Sequence, residues 1–110
     1  FEWSPAGIRP SDAPSISIPL APIVQRLGHR AIYPSELLRD PVTGHLLLLS
    51  ARAHAIIEIT AAGEVVGVAR LRARIHRQAE ALAFGRDGTL LVGDEANGAR
   101  ATLTGYRPVR

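Results

Sequence analysis

Glu36-Leu-Leu-Arg-Asp-Pro-Val-Thr-Gly-His-Leu-Leu-Leu-Leu-Ser50 aligns without a gap to Glu80-Ala-Leu-Ala-Phe-Gly-Arg-Asp-Gly-Thr-Leu-Leu-Val-Gly-Asp94. The anchoring glutamates coincide at a constant offset of 44 residues, as do the leucines at 38 and 82, the glycines at 44 and 88, and the leucine pairs at 46–47 and 90–91. A period of roughly 40 to 50 residues is typical of propeller blades and of helical HEAT-type repeats. The pattern inside the repeat has to decide between these two classes.

That internal pattern indicates β structure. Gly44, Gly63 and Gly88 each lie in a short polar turn between two short apolar runs, which is the pattern of β-hairpins. The run Leu46–Leu49 is apolar on both faces, as expected for a strand buried on both sides between stacked sheets. We predict strands at 35–39, 45–50, 54–60, 64–71, 79–84, 89–93 and 100–106. Helical repeats are excluded.

The chain is therefore predicted to be all-β, with about two and a half four-stranded antiparallel units of a β-propeller. Residues 34–77 form one blade and 78–110 an incomplete blade, within a single partial domain. Residues 1–33 are expected to be the end of a preceding blade plus a connection, with strands at Phe1–Trp3 and Ser15–Leu20. The stretch 21–33 fits either a helical turn or a loop. Propellers close with four to eight blades, so we expect a fragment or a protomer that shares a ring.

The amino-acid composition is that of a globular domain and argues against several classes of function. The 110 residues are 46% hydrophobic and 21% charged, as in a globular domain, and they include no cysteine. The formal net charge is +3, and arginine supplies all 13 basic residues. Arg70, Arg72 and Arg74 alternate on one face of a strand, which favours a charged outer edge over nucleic-acid binding because no aromatic platform accompanies them. No apolar run reaches the roughly 18 residues needed to span a membrane.

Glu36 and Glu80 are the strongest metal-ligand candidates. Equivalent positions on the inner strands of a propeller ring its central channel, and Ca²⁺ takes six to eight oxygen ligands there. Asp94 and Glu95, in a short polar loop with Asn97, are candidate additional ligands. The alternatives are that each glutamate accepts backbone hydrogen bonds or pairs with an arginine, and that the loop is a solvated turn.

Other chemistries lack a pattern in the sequence. The four histidines, at 29, 45, 54 and 76, do not have zinc-site spacing. His45 and His54 are predicted to approach each other across a hairpin. No serine lies in a G-x-S-x-G nucleophile motif.

The two repeats resemble the SdiA-regulated (YjiK-like) family, which is related to esterase-like and phytase-like propellers. The similar segments are Pro34-Ser35-Glu36, Asp40-Pro-Val-Thr-Gly-His-Leu46, Ala79-Glu-Ala-Leu-Ala-Phe84, Asp87-Gly-Thr-Leu90 and Gly93-Asp94-Glu95. Leu37 and Ala81 stand where that family has glycine, and Ala79 stands where it has proline.

The resemblance implies a bacterial propeller of the cell envelope or periplasm. We expect a non-catalytic binding or interaction module with a candidate Ca²⁺ site, whose missing blades come from the parent chain or from association of several copies. The alternative is a metal-assisted esterase-like or phytase-like hydrolase. An enzyme would need Glu36, Glu80 and Asp94 to converge in one open pocket.

Overall fold

The computed structural model describes residues 2–4, 7–9, 16–28, 32–95, 98 and 100–109. The described residues contain nine strands and one short helix. The elements in chain order are β1 (Glu2–Ser4), β2 (Gly7–Arg9), α1 (Ala21–Leu27), β3 (Glu36–Arg39), β4 (Leu46–Ser50), β5 (Ala55–Ile59), β6 (Val65–Arg70), β7 (Ala79–Phe84), β8 (Leu90–Asp94) and β9 (Thr102–Tyr106).

Every strand pairing is antiparallel, and neighbours in sequence are neighbours in space. The first sheet has four strands in the order β3-β4-β5-β6, and the second has three in the order β7-β8-β9. β1 and β2 form a separate hairpin. The two larger sheets are a complete and an incomplete propeller blade, which confirms the predicted fold class. The repeat is kept in the secondary structure, since β4 and β8 lie one 44-residue period apart.

The turn that opens the first repeat shows why these residues form hairpins. Asp40 accepts the Val42 backbone N–H at 2.8 Å through one carboxylate oxygen and the Thr43 hydroxyl at 2.9 Å through the other. Gly44 then takes a φ of 75°, a left-handed conformation that glycine adopts without a steric penalty. The chain reverses within five residues, and β3 is brought back against β4.

The first sheet is buried on both faces, as the apolar run in β4 predicts. Leu48 and Ile57 point to one face, where they pack with Ile23 and Leu27 of α1. Leu49 and Ile56 point to the other face, where they pack against the second sheet. The residues of the second sheet in this interface are Ala79, Leu82 and Val92. Helix α1 therefore covers the first sheet on the side opposite the second sheet.

A β-bulge changes the pattern of faces along β6. Ile59 pairs with Val65 and Glu58 pairs with Gly67, so Val66 is an extra residue without a partner. Val65 and Val68 consequently pack on the same side, against the cluster that contains α1. Strict alternation of side chains along a strand would instead place these two valines on opposite faces.

In the N-terminal third, the helical alternative is confirmed and the predicted strand before it is not. Residues 21–27 form a helix of two turns, closed by Gly28 at φ 71°. The predicted strand at Ser15–Leu20 is wrong over its described part, because residues 16–20 pair with no strand of the described chain. Ile18 instead packs on the core beside α1. Pro19 lacks the N–H that a ladder requires, which disfavours a paired strand here.

Candidate functional site

The ends of β4 and β8 carry the buried polar groups around which the candidate site is built. Ser50 and Asp94 are equivalent in the repeat, and both are buried. Ser50 Oγ accepts the backbone N–H of Tyr33 at 3.3 Å and that of Ala53 at 3.4 Å. Asp94 Oδ1 accepts the N–H of Gln78 at 3.2 Å. Each side chain thus holds the segment that leads into the first strand of its own sheet.

Asp94 takes part in a longer chain of hydrogen bonds than Ser50. Its Oδ2 lies 2.7 Å from Nδ1 of His76, a residue with 0% exposure, and His76 Nε2 lies 2.5 Å from the hydroxyl of Tyr106. A carboxylate oxygen only accepts, so His76 Nδ1 carries the hydrogen and donates it to Asp94. In the neutral ring, Nε2 then accepts from the Tyr106 hydroxyl. We call Asp94, His76 and Tyr106 the buried relay.

The buried relay ties three separate parts of the chain together. His76 belongs to the segment between the two sheets, Asp94 ends β8, and Tyr106 ends β9. Because His76 is fully enclosed, a substrate has no access to its imidazole, and the ring serves to position its neighbours. Tyr106 differs from the other two, since it is 39% exposed and lines a cleft between the sheets.

The predicted metal ligands occupy dissimilar surroundings. Glu36 is half-buried, and its Oε1 accepts the N–H of Leu37 at 3.0 Å. Glu80 and Glu95 are exposed, whereas both oxygens of Asp94 are taken up by Gln78 and His76. Among the residues that the structure describes, no three acidic, histidine or cysteine side chains lie close enough to share a metal ion.

The strand pairing around Glu36 also differs from that around Glu80. Glu36 pairs with Leu49 in the first sheet. In the second sheet the residue equivalent to Leu49, Gly93, pairs with Ala81, because the register shifts between Ala79 and Ala81. Glu80 is therefore the extra residue of a β-bulge. The two positions are equivalent in sequence but not in strand pairing.

The predicted candidate Asn97 lies outside the described residues.

The remaining histidine and arginine predictions can be compared with the structure. His45 Nδ1 pairs with Glu58 Oε1 at 2.6 Å on the partly exposed surface. The predicted approach of His45 to His54 is wrong, because the β4–β5 register places these residues at opposite ends of the hairpin. His29 lies outside the described residues. Arg70 donates to the carbonyl oxygens of Arg26 and Leu27 at 3.0 and 3.1 Å, so it stabilises the C-terminal end of α1.

The cleft beside Tyr106 is a feature that the sequence did not reveal. It has a volume of about 440 Å³ and lies between the outer parts of the two sheets. Its walls are mostly apolar: Ile56, Ala69, Leu71, Ile75 and Leu90, with Tyr106, Arg70 and Arg72 at the margin. In the sequence, only Asp94 pointed to the buried relay, because a carboxylate at a buried strand end requires a hydrogen-bonding partner.

Comparison with known proteins agrees with the repeat and its turns. The sequence profile of the SdiA-regulated family matches residues 29–98, which include the whole first sheet and β7 and β8 of the second. Neither a curated protein nor a solved structure gave a match. None of the helices in the described residues is long and apolar enough to cross a membrane. The match spans more than half of the chain, and the protein belongs to the SdiA-regulated family.

Proposed function

We propose that this chain is a non-catalytic binding module of an SdiA-regulated propeller, and that it binds further β-sheet units. The observation that carries the proposal is the uncovered face of the second sheet. Leu103 is 68% exposed on that face, where Gly93 is its pairing partner, and Ala81 and Ala83 beside it are exposed as well. The corresponding face of the first sheet is buried against its neighbour.

Stacking of sheets explains why another sheet would bind to this face. Leu49 of the first sheet is fully buried because the second sheet lies against it, and Leu47 beside it is half-buried in the same interface. On the equivalent face of the second sheet, Leu91 is half-buried and Leu103 is 68% exposed. Exposed apolar area costs about 25 cal/mol per Å², so covering this face with another sheet is favourable. The missing units come from the parent chain or from other copies of this one.

The measurement that tests this proposal is the solution mass of the 110-residue chain. Without other blades to cover it, the open face should drive self-association at tens of micromolar, giving a mass above the 11.8 kDa of one copy. A single 11.8 kDa species over the whole concentration range would contradict the proposal.

Calcium forms a separate part of the proposal and rests on Glu36 and Glu80. Glu95 is exposed and is a further ligand candidate, whereas the two oxygens of Asp94 already accept hydrogen bonds from Gln78 and His76. Titration with Ca²⁺, followed by the melting temperature, tests this part. A rise in Tm that is lost in the Glu36→Gln/Glu80→Gln variant supports calcium binding, and an unchanged Tm removes calcium from the proposal.

The hydrolase alternative can be tested directly as well. An enzyme of the esterase-like or phytase-like type requires converging carboxylates beside an accessible nucleophile or metal-bound water. Incubation with a generic ester and a generic phosphate ester, each with and without Ca²⁺, should show no turnover above background. Turnover that disappears in the Glu36→Gln/Glu80→Gln variant would replace the binding module with the hydrolase.

A further inference from the structure

The segment between β6 and β7 carries three exposed arginines within six residues. They are Arg72, Arg74 and Arg77, and we call residues 72–77 the arginine turn. The sequence pattern places Arg72 and Arg74 on a charged strand edge together with Arg70. In the structure β6 ends at Arg70, so the other two lie beyond the strand. Protection of a strand edge therefore does not explain why they are here.

The arginine turn has a fixed backbone, because contacts with both sheets hold its two ends. Just before it, the Leu71 N–H donates to the carbonyl oxygen of His54 at 2.7 Å. Within it, the carbonyl oxygen of Arg72 accepts the N–H groups of Ile75 at 2.9 Å and of His76 at 2.8 Å, which closes one helical turn. His76 belongs to the buried relay and is therefore anchored to the second sheet. A ligand at this turn would not have to order a flexible loop, which lowers the cost of binding.

The positive charges of the arginine turn lack acidic partners in the part of the chain that the structure describes. No carboxylate there forms an ion pair with Arg72, Arg74 or Arg77. Arg70 differs, because it donates to two carbonyl oxygens at the end of α1. The three guanidinium groups repel one another and create a local positive potential. A bound anion would remove this repulsion.

Arg72 and Arg74 border the same depression, which has a volume of about 300 Å³ and Ile75 as its apolar wall. The arginine guanidinium is a planar fork that donates two parallel N–H bonds to phosphate or carboxylate oxygens. Two forks at one depression are satisfied best by tetrahedral phosphate groups, because their oxygens point in several directions. A carboxylate has only two oxygens, which lie in one plane. A water molecule takes about 30 Å³ in the liquid, so the depression has room for more than a single small anion.

We propose that the arginine turn binds the diphosphate group of a small molecule, with Arg72 and Arg74 each holding oxygens of one phosphate. Arg77, at the end of the turn, adds to the positive potential. The ligand is either free pyrophosphate or a nucleoside diphosphate that carries the same group. The site lies on the segment that joins the two sheets. It therefore goes beyond the proposed function and does not require the open face to bind other sheets.

Isothermal titration calorimetry with pyrophosphate on the 110-residue chain, at low ionic strength, tests the proposal. We expect saturable binding of one pyrophosphate per chain, with NMR shift changes of backbone amides concentrated in 72–77. Arg72→Gln and Arg74→Gln should each weaken binding about tenfold, because each removes a pair of charge-assisted hydrogen bonds. Both side chains are exposed, so neither change should disturb folding.

Arg86→Gln is the matched control for these two variants. Arg86 is an exposed arginine in the turn before β8, and its replacement changes the net charge by the same amount. This variant should bind pyrophosphate with unchanged affinity. An equal loss of affinity in Arg86→Gln and Arg72→Gln would show that pyrophosphate responds to the net charge alone, and the site would fall.

A comparison of anions tests the diphosphate assignment. Malonate carries two carboxylates at a similar separation and should bind about tenfold more weakly than pyrophosphate. Adenosine diphosphate distinguishes the two sources: affinity equal to or tighter than that of pyrophosphate assigns the site to nucleoside diphosphates, and weaker binding assigns it to the free anion.

Three outcomes would overturn the proposal. They are the absence of saturable pyrophosphate binding, equal affinity for malonate, and much tighter binding of single-stranded DNA of any sequence. A chain that stays monomeric but binds pyrophosphate at 72–77 would contradict the proposed function and leave this site standing.

Discussion

His76 Nδ1 lies 2.7 Å from Asp94 Oδ2 in a fully buried position between the two sheets. This contact fixes the segment between the sheets to the end of β8, and the other ring nitrogen extends it to Tyr106 on β9. At the equivalent position of the first repeat, Ser50 accepts hydrogen bonds from the backbone N–H groups of Tyr33 and Ala53. Asp94 therefore links side chains of two further segments to the end of β8, in addition to the backbone N–H of Gln78.

We expect the buried relay to contribute strongly to stability. His76→Ala leaves a cavity and removes the imidazole partner of the buried Asp94 carboxylate, so the free energy of unfolding should fall by about 3 kcal/mol or more. Tyr106→Phe removes the hydroxyl alone and should cost about 1 to 2 kcal/mol. Urea denaturation of each variant gives these values.

The matched control for His76 is the other histidine–carboxylate pair. His45 and Glu58 are in contact at 2.6 Å but are partly exposed, so His45→Ala should cost about 1 kcal/mol or less. Equal losses for His76→Ala and His45→Ala would show that the buried relay has no special structural role.

A glycine substitution tests the packing of the N-terminal segment on the first sheet. Gly63 has φ 93°, and a Cβ added there would lie 2.6 Å from the carbonyl oxygen of Ser17. Gly63→Ala should therefore destabilise the protein by more than the roughly 1 to 2 kcal/mol that a left-handed conformation alone costs an alanine. Gly28→Ala, at φ 71° with open space around its Cβ position, should show that smaller conformational cost alone. Thermal or urea unfolding compares the two, and equal losses would mean that Ser17 does not pack here.

The turn before β8 should make stability depend on pH. The Thr89 backbone N–H, followed by the Thr89 hydroxyl, holds the pKa of Asp87 below its ordinary value. A carboxyl whose pKa is lowered by folding stabilises the native state above its ordinary pKa, and this contribution is lost as the pH falls through the folded pKa.

Asp87→Asn should therefore lower the melting temperature at pH 7, and the difference from the unmodified protein should shrink towards pH 2. Melting curves at several pH values between 2 and 7 measure this difference. A difference that stays constant over the whole range would contradict the role assigned to the Asp87 carboxylate.

The sequence predicted the strands well because apolar runs and glycine turns are local signals. The seven strands predicted from residue 35 onward are all present, with ends that differ by at most two residues. The N-terminal third was harder, since the tertiary packing of Ile18 and α1 on the first sheet outweighs the weak local pattern there.

The candidate site was less predictable, because it depends on register. A one-residue bulge at Glu80 is not visible in an ungapped alignment, yet it changes which residues face each other across the strands. His76 and Tyr106 lie 30 residues apart in sequence, and the pairing of β9 with β8 brings their side chains into contact. Sequence spacing carries no information about such a contact.

The central claim is that the open face of the second sheet binds other sheets, and the mass of a Leu103 variant tests it most directly. Sedimentation equilibrium should show the unmodified chain associating at tens of micromolar, Leu103→Asp remaining at 11.8 kDa, and Val42→Asp, at an exposed turn valine, associating like the unmodified chain. If the unmodified chain is itself a monomer, or if Leu103→Asp associates just as strongly, the account of this face is wrong.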